Sequence, residues 1–283
     1  MRTVLITGTS AGFGLLTTVE LAKRGWRVVA TMRNLDRKGP LEAALAQSGG
    51  AAQNVDFVQL DVTDAASITK GVAEALAITG GFLDGVVHNA GVAVGGAFED
   101  IPDAEVRRVM ETNLFGVMAL TRALLPTFRK QRSGRIVIVS SEAGLAGQPC
   151  NSIYASSKWA LEGWAESLAF EAEQFGIEVL LIEPGPYITD IWQSSPRFSP
   201  ENSAYRPWVQ YLFRAIDAHV AVKGRDPQEV AERIARVLEA PRPRFRNPVG
   251  RQARIVHFAR GKFPSRWLRR GFEAYLGSRR VRL

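Results

Sequence analysis

The chain has 283 residues, 46% of them hydrophobic, which suffices for one substantial core or two small ones. No apolar run reaches the roughly 18 residues a membrane span needs, and the single cysteine, Cys150, excludes an internal disulfide and a cysteine-built metal site. The formal net charge is +8, yet residues 242–283 hold 13 Lys and Arg against one acid, Glu273, leaving 23 basic and 27 acidic residues elsewhere; the basic excess belongs to a tail, and no nucleic-acid recognition motif accompanies it.

Strand-like and helix-like segments alternate from Met1 to Ala240 without a linker or repeat, which predicts a single α/β domain. The first strand begins at once, so no signal peptide is expected and a cytoplasmic location is the default. Arg2–Thr7 reads as a buried strand, and Gly8–Gly14 (GTSAGFG) as a turn into a helix reaching about Arg24. Glycines at 8, 12 and 14 permit positive φ and close backbone approach, and the helix N-terminus behind them offers unpaired N–H groups to an anion. The alternative is an ordinary tight strand-to-helix turn. Trp26–Thr31 is a second strand ending in Met32-Arg33, and Val55–Leu60 a third, closed by Asp61-Val62 with a helix starting near Asp64.

Asp84–Val87 leads into His88-Asn89-Ala90-Gly91, where His88 reads as a packed or hydrogen-bonded histidine. Ala104–Pro126 carries helical spacing with Asn113 inside it, an amide that either points to water or meets a specific partner, with a kink near Gly116. Arg135–Ser140 is a strand, and Ser141 stands at its C-terminal end. The following helix, Asn151–Phe175, places Tyr154 and Lys158 four residues apart on one face. A nearby ammonium favours the phenolate, so Lys158 is expected to lower the pKa of Tyr154 and make it a general acid or base. Cys150 has no Cys-His partner in sequence and reads as a small loop residue.

Ile177–Glu183 is a further strand, followed by Pro184-Gly185-Pro186-Tyr187-Ile188-Thr189. Residues 190–222 hold Trp192, Phe198, Tyr205, Trp208, Tyr211 and Phe213, which fit either a lid over an apolar pocket or packing on a sheet edge or a dimer partner. A helix from Asp226-Pro227 to Ala240 and a strand at Arg244–Val249 complete a domain over residues 1–249. Residues 250–283 form a basic amphipathic helical extension that docks on its own domain or a neighbouring subunit, or lies on an anionic membrane surface.

In order along the chain, Gly8, Gly12 and Gly14, then His88-Asn89-Ala90-Gly91, Asn113, Ser141 and Tyr154-Ala155-Ser156-Ser157-Lys158 together resemble the short-chain dehydrogenase/reductase family, from Thr3 to about Thr189. The glycine spacing matches the family's TGxxxGxG form. His88 departs from its NNAG, and Tyr187 stands where a small aliphatic residue is usual. YASSKWALEG at 154–163, ATMR at 30–33 and the aromatic segment look like hydroxysteroid or retinol dehydrogenase members.

The resemblance implies a Rossmann-type, doubly wound α/β domain with a mostly parallel sheet. It implies catalytic roles for Tyr154, Lys158, Ser141 and Asn113, the last supporting a water relay to the lysine. Cofactor contacts would come from Gly8, Ser10, Gly12, Phe13, Gly14, Asp61, Val62, Asn89, Ala90, Gly91, Tyr154, Lys158, Pro184, Gly185, Tyr187 and Thr189. With no acid after the second strand, Arg33, joined by Ser10, favours the 2′-phosphate of NADP(H) over NAD(H), unless Arg33 is only a solvated surface charge. The implied activity is hydride exchange between a hydrophobic secondary alcohol and its ketone or aldehyde, in a homo-oligomer. A catalytically silent NADP(H)-binding sensor or scaffold is the alternative.

Overall fold

The computed structural model describes residues 1–49, 51–188, 191–260, 262 and 270. The chain runs β1 (Thr3–Thr7), α1 (Gly12–Lys23), β2 (Arg27–Met32), α2 (Gly39–Ala46), β3 (Val55–Gln59), α3 (Ala65–Ile78) and β4 (Gly85–His88). It continues through β5 (Gly95–Gly96), α4 (Asp103–Met110), α5 (Gly116–Gln131), β6 (Gly134–Val139), α6 (Ser152–Glu173) and β7 (Ile177–Pro184). The last elements are α7 (Ile191–Ser194), β8 (Arg197–Phe198), α8 (Arg206–Lys223), α9 (Gln228–Glu239), β9 (Arg246–Val249) and α10 (Arg251–Ala259).

Among the described residues seven strands form one parallel sheet in the order β3-β2-β1-β4-β6-β7-β9. The strand sequences are nearly continuous apolar runs because both faces are covered. Alternation sorts them: Leu5, Val29, Val86, Ile136 and Ile138 pack toward α3, α5 and α6, whereas Val4, Ile6, Val28, Val87 and Val137 pack toward α1 and α9. Each such side chain stabilises the fold by about 1.5–3 kcal/mol. Strand order reverses between β1 and β4, and the crevice at the carboxyl ends of strands beside such a switch point is where ligands bind in open α/β sheets.

The helix expected across Ala104–Pro126 is interrupted. Glu111–Phe115 form a π-helical turn between α4 and α5, and α5 runs past Pro126 to Gln131. The break sits where a Cβ on Gly116 would lie 2.6 Å from the Val62 carbonyl, so the helix meets the β3–α3 loop backbone to backbone.

The segment after β7 is structured. Gly95 and Gly96 pair with Arg197 and Phe198, and α8 buries Val209 and Leu212 against Ala97 and Cys150. Trp208 and Tyr211 pack half-buried in that same cluster, while Tyr205 is exposed. Helix α10, the start of the basic extension, docks on its own domain through buried Ala253 and Ala259 and leaves Ile255 and Phe258 exposed. Phe263, Trp267, Leu268, Phe272 and Tyr275 lie outside the described residues.

Candidate active site

The glycine turn is shaped by contacts that exclude any larger residue. Gly8 has φ +70°, and a Cβ there would lie 2.8 Å from the Ala90 Cα; on Gly14 a Cβ would lie 2.2 Å from the Gly8 carbonyl oxygen and 2.4 Å from Asn89 Nδ2. Asn89 Nδ2 donates to the carbonyls of Thr7 (2.9 Å) and Gly8 (3.0 Å), and Thr7 Oγ1 accepts from the backbone N–H groups of Asn89 and Ala90, each at 3.0 Å. Two motifs some eighty residues apart in sequence thus form one rigid unit across the switch point. At Gly12, in contrast, a Cβ would meet nothing within 4 Å, and no side chain caps α1 at Ala11. The uncapped N–H groups and the open space before them fit the pyrophosphate of a dinucleotide.

The cleft at the strand ends brings together Phe13, Asn89, Gly91, Ser141, Tyr154, Lys158, Pro184, Gly185 and Tyr187. Tyr154 and Lys158 are 7% and 5% exposed, and the Lys158 ammonium lies 5.6 Å from the tyrosine ring centre and donates to the Val139 carbonyl at 2.9 Å. Ser141 Oγ accepts from the Ala143 N–H at 3.1 Å and hydrogen-bonds the Tyr154 hydroxyl.

The electrostatics overturn one expectation. Tyr154 is not pulled toward neutrality: burial pushes its pKa up to about 12, the Ser141 hydrogen bond opposes this, and the charge of Glu142 adds to the rise. Burial also takes Lys158 down to about 8, with Glu162 opposing. Desolvation acts on both groups more strongly than the cation acts on the phenol, so the free site holds a protonated tyrosine beside a lysine that titrates just above neutrality.

Asn113 sits in the π turn behind the cleft. Its Oδ1 accepts from the Val92 N–H at 2.9 Å, and its Nδ2 donates to the Val92 carbonyl (2.9 Å) and to Ser157 Oγ (3.1 Å); Ser157 in turn donates to the Tyr154 carbonyl at 2.7 Å. The amide therefore meets specific partners and ties the loop after β4 to the first turn of α6, which carries Tyr154. His88 is buried and shares a hydrogen bond with Thr121 Oγ1 (2.9 Å), its pKa taken down to about 3 by burial, so it is a neutral packed residue.

Tyr187 lines the cleft and is held there by two contacts. Its ring packs edge-on against Phe13 (5.7 Å, 81°) in the core, and its hydroxyl donates to Glu229 at 2.9 Å. Asp61 Oδ1 accepts from the backbone N–H and the hydroxyl of Thr63, while Asp64 caps α3. Arg33 and Ser10 stand apart from the cleft, Arg33 exposed after β2. Thr189 lies outside the described residues.

Sequence reasoning missed a polar corner of the cleft. Glu142, Gln148 and Asn151 line it from the β6–α6 loop, and Gln252 reaches it from α10. An acid directly after Ser141 was a visible signal. Gln252, 110 positions away, carried none. Opposite them, Phe213, Ile216 and Val220 of α8 form an apolar wall.

A family model described as short chain dehydrogenase matches residues 2–199. The chain belongs to the short-chain dehydrogenase family. Among relatives of this short-chain dehydrogenase, "Uncharacterized oxidoreductase YusZ" of Bacillus subtilis is 38% identical over 94% of this chain and 95% of its own. "Retinol dehydrogenase 8" of Homo sapiens is 38% identical over 90% and 82%, and "17-beta-hydroxysteroid dehydrogenase type 1" of Homo sapiens 34% over 86% and 76%. The crystal structure of a short-chain dehydrogenase from Streptomyces avermitilis aligns with a TM-score of 0.80 at 31% identity, covering 99% of this chain and 100% of that one. The short-chain dehydrogenase described here is thus an oxidoreductase with the Rossmann-type fold expected of it.

Proposed function

We propose that this protein is an NADP(H)-dependent oxidoreductase that interconverts a hydrophobic secondary alcohol and its ketone or aldehyde. The observation that carries the reading is the meeting of Ser141, Tyr154 and Lys158 in one cleft with the Asn89-braced glycine cradle. A nicotinamide cofactor held there would supply or take the hydride at the carbonyl carbon.

The protein's own groups handle the proton. Ser141 donates a hydrogen bond to the substrate oxygen and orients it. Tyr154, protonated across the neutral range, gives its proton to that oxygen during reduction. Lys158, charged below about pH 8, stabilises the phenolate as it forms and would bond the ribose hydroxyls of the cofactor's nicotinamide half. Asn113 supports the proton relay by fixing Val92 and Ser157. Pro184, Gly185 and Tyr187, with Thr189 just after them in sequence, would hold the carboxamide end of the cofactor, and Asp61 and Val62 would hold its adenine end. The apolar wall of α8 and the names of the retinol and steroid dehydrogenase relatives support a hydrophobic substrate, with residues 190–222 as its lid.

The preference for NADP(H) rests on Arg33, an exposed guanidinium after β2 where no acid stands to receive a ribose hydroxyl. Turnover of apolar ketones with NADPH and with NADH, in wild type and in Arg33→Asp, tests it: NADPH is the better substrate, and the variant reverses the order by about tenfold or more. Equal use of NADH by wild type overturns the preference. For the reaction itself, Tyr154→Phe lowers kcat by about 100-fold or more with NADPH binding retained. A wild type that binds NADPH but reduces no ketone or aldehyde in the panel would leave the silent-sensor reading standing instead.

A further inference from the structure

Glu142 is a buried carboxyl group of which the fold uses one oxygen. It lies at the carboxyl end of β6, next to Ser141 in the chain, and is 6% exposed. Its Oε1 accepts from two amides, Gln148 Nε2 at 3.1 Å and Gln252 Nε2 at 3.0 Å. Its Oε2 is buried with no hydrogen-bond partner among the described residues. That oxygen faces the Pro184–Gly185 loop, 3.4 Å from where a Cβ on Gly185 would stand, and the carboxylate interacts electrostatically with the Tyr154 phenol.

A buried acceptor without a donor is costly to the fold. Two glutamines, one supplied by α10, hold Oε1 and leave Oε2 as the carboxyl oxygen without a hydrogen-bond partner among the described residues, beside the Gly185 backbone in a residue that lines the cleft. Both glutamines line the same cleft as Ser141 and Tyr154, so a ligand atom meeting Oε2 sits near the reacting oxygen. Phe213, Ile216 and Val220 give the cleft an apolar wall, with Ser195, Arg197 and His219 as the polar members of the lining beside it.

We infer that Glu142 reads the substrate: the cleft takes an apolar ketone, or the matching secondary alcohol, that carries a hydrogen-bond donor, a hydroxyl or an amine, within a carbon or two of the reacting carbon. The inference rests on the oxidoreductase reading and refines its substrate class. Glu142 acts by positioning and selection. The hydride and proton transfers are those already assigned. A substrate lacking the donor enters the same apolar enclosure but leaves Oε2 unpaired, so the enzyme discriminates against it through the unmet acceptor.

The test measures NADPH oxidation by the full chain with a long-chain methyl ketone and with its α-hydroxy and α-amino counterparts. In wild type kcat/KM favours the donor-bearing compounds by at least about tenfold. Glu142→Gln turns an amide N–H toward the cleft, because Gln148 and Gln252 retain the carbonyl oxygen, and Glu142→Val removes polarity altogether. In both variants the ratio between the paired ketones collapses toward one, while NADPH Kd, read by fluorescence titration, stays at the wild-type value and reports an intact fold. A flat ratio in an active wild type, or a ratio unchanged in both variants, overturns the inference and leaves the oxidoreductase reading untouched. A tenfold weaker NADPH Kd in Glu142→Val with the ratio unchanged also overturns it, by giving Oε2 to the cofactor. A wild type inert toward every compound overturns both.

Discussion

The Lys158 ammonium stands one helical turn from Tyr154, 5.6 Å from its ring centre, yet burial governs the titration of both. Because burial pushes Tyr154 up to about 12, the proposed carbonyl reduction is not expected to be limited by Tyr154 at mildly alkaline pH. The expected limit is Lys158, which loses its charge through about pH 8 and with it would lose the stabilisation of a forming phenolate.

The expected pH profile of kcat/KM for reduction is therefore flat near neutrality and falls through an inflection near pH 8. Lys158→Met removes that inflection and lowers kcat by about 100-fold or more. Profiles of the two proteins on one ketone decide this; an inflection near 8 that persists in the variant assigns it to another group.

The cradle gives a second prediction. In Gly14→Ala the new methyl meets backbone and a braced amide, the Gly8 carbonyl at 2.2 Å and Asn89 Nδ2 at 2.4 Å, neither of which is a flexible side-chain end. The variant is expected to lose about 1–3 kcal/mol of stability and at least tenfold in NADPH affinity. Gly12→Ala has space for its methyl and bears only the cost of φ +56°, about 1 kcal/mol. Thermal unfolding and NADPH titration of the pair separate close approach from backbone strain.

The sheet, the glycine turn and the Tyr154–Lys158 face were legible because each is local: an apolar run, a glycine spacing, an i,i+4 pair. What escaped was set by partners distant in sequence. The sign of the Tyr154 shift depends on how completely Ala93, Ala143 and Ala155 enclose its ring, which no spacing reveals. Tyr187 stood out as a bulky residue, but the contacts with Phe13 and Glu229 that hold it at the cleft come from α1 and α9, far off in the sequence. Asn113 was found as a helix-interior amide, but the π turn that carries it, next to the point where Gly116 meets Val62 across the fold, was not visible in the spacing. Gln252 enters the site only because α10 packs back over the β6–α6 loop.

Glu142 couples function to stability. Burial raises its pKa from the usual carboxylate value to about 7, so the folded chain binds a proton there that the unfolded chain has released between about pH 4.5 and 7. The group's favourable contribution is full below the unfolded pKa and is lost as pH rises through 7, a difference of about 3 kcal/mol. Glu142→Gln, neutral at every pH, should unfold a few degrees above wild type at pH 8, with the gap closing by pH 5. Melting curves at the two pH values check it; an equal offset at both would show that ionisation of Glu142 is not the cause.

Arg246 on β9 is the counterweight to two buried acids, Glu162 on α6 and Glu183 on β7. It donates to Glu183 at 3.0 Å, to Glu166 at 3.0 Å and to Glu162, and both Glu162 and Glu183 are essentially inaccessible to water. His257 of α10 stands 3.7 Å from the second Glu183 oxygen, too far for a hydrogen bond, so it does not replace the guanidinium. Arg246→Met strands both carboxyls and is expected to cost about 3–5 kcal/mol. Burial already holds the Glu183 carboxyl well above the ordinary range, so the stranded acids fold only by keeping their protons, and the deficit grows from pH 6 to pH 8. Adding Glu183→Gln to Arg246→Met removes one of the uncompensated charges and should recover part of the loss at pH 8 but little at pH 6. Denaturant unfolding of the single and double variants at both pH values is the measurement, and a double variant no more stable than the single at pH 8 would show that Arg246 acts through packing on Phe245 and α6, not through its charge.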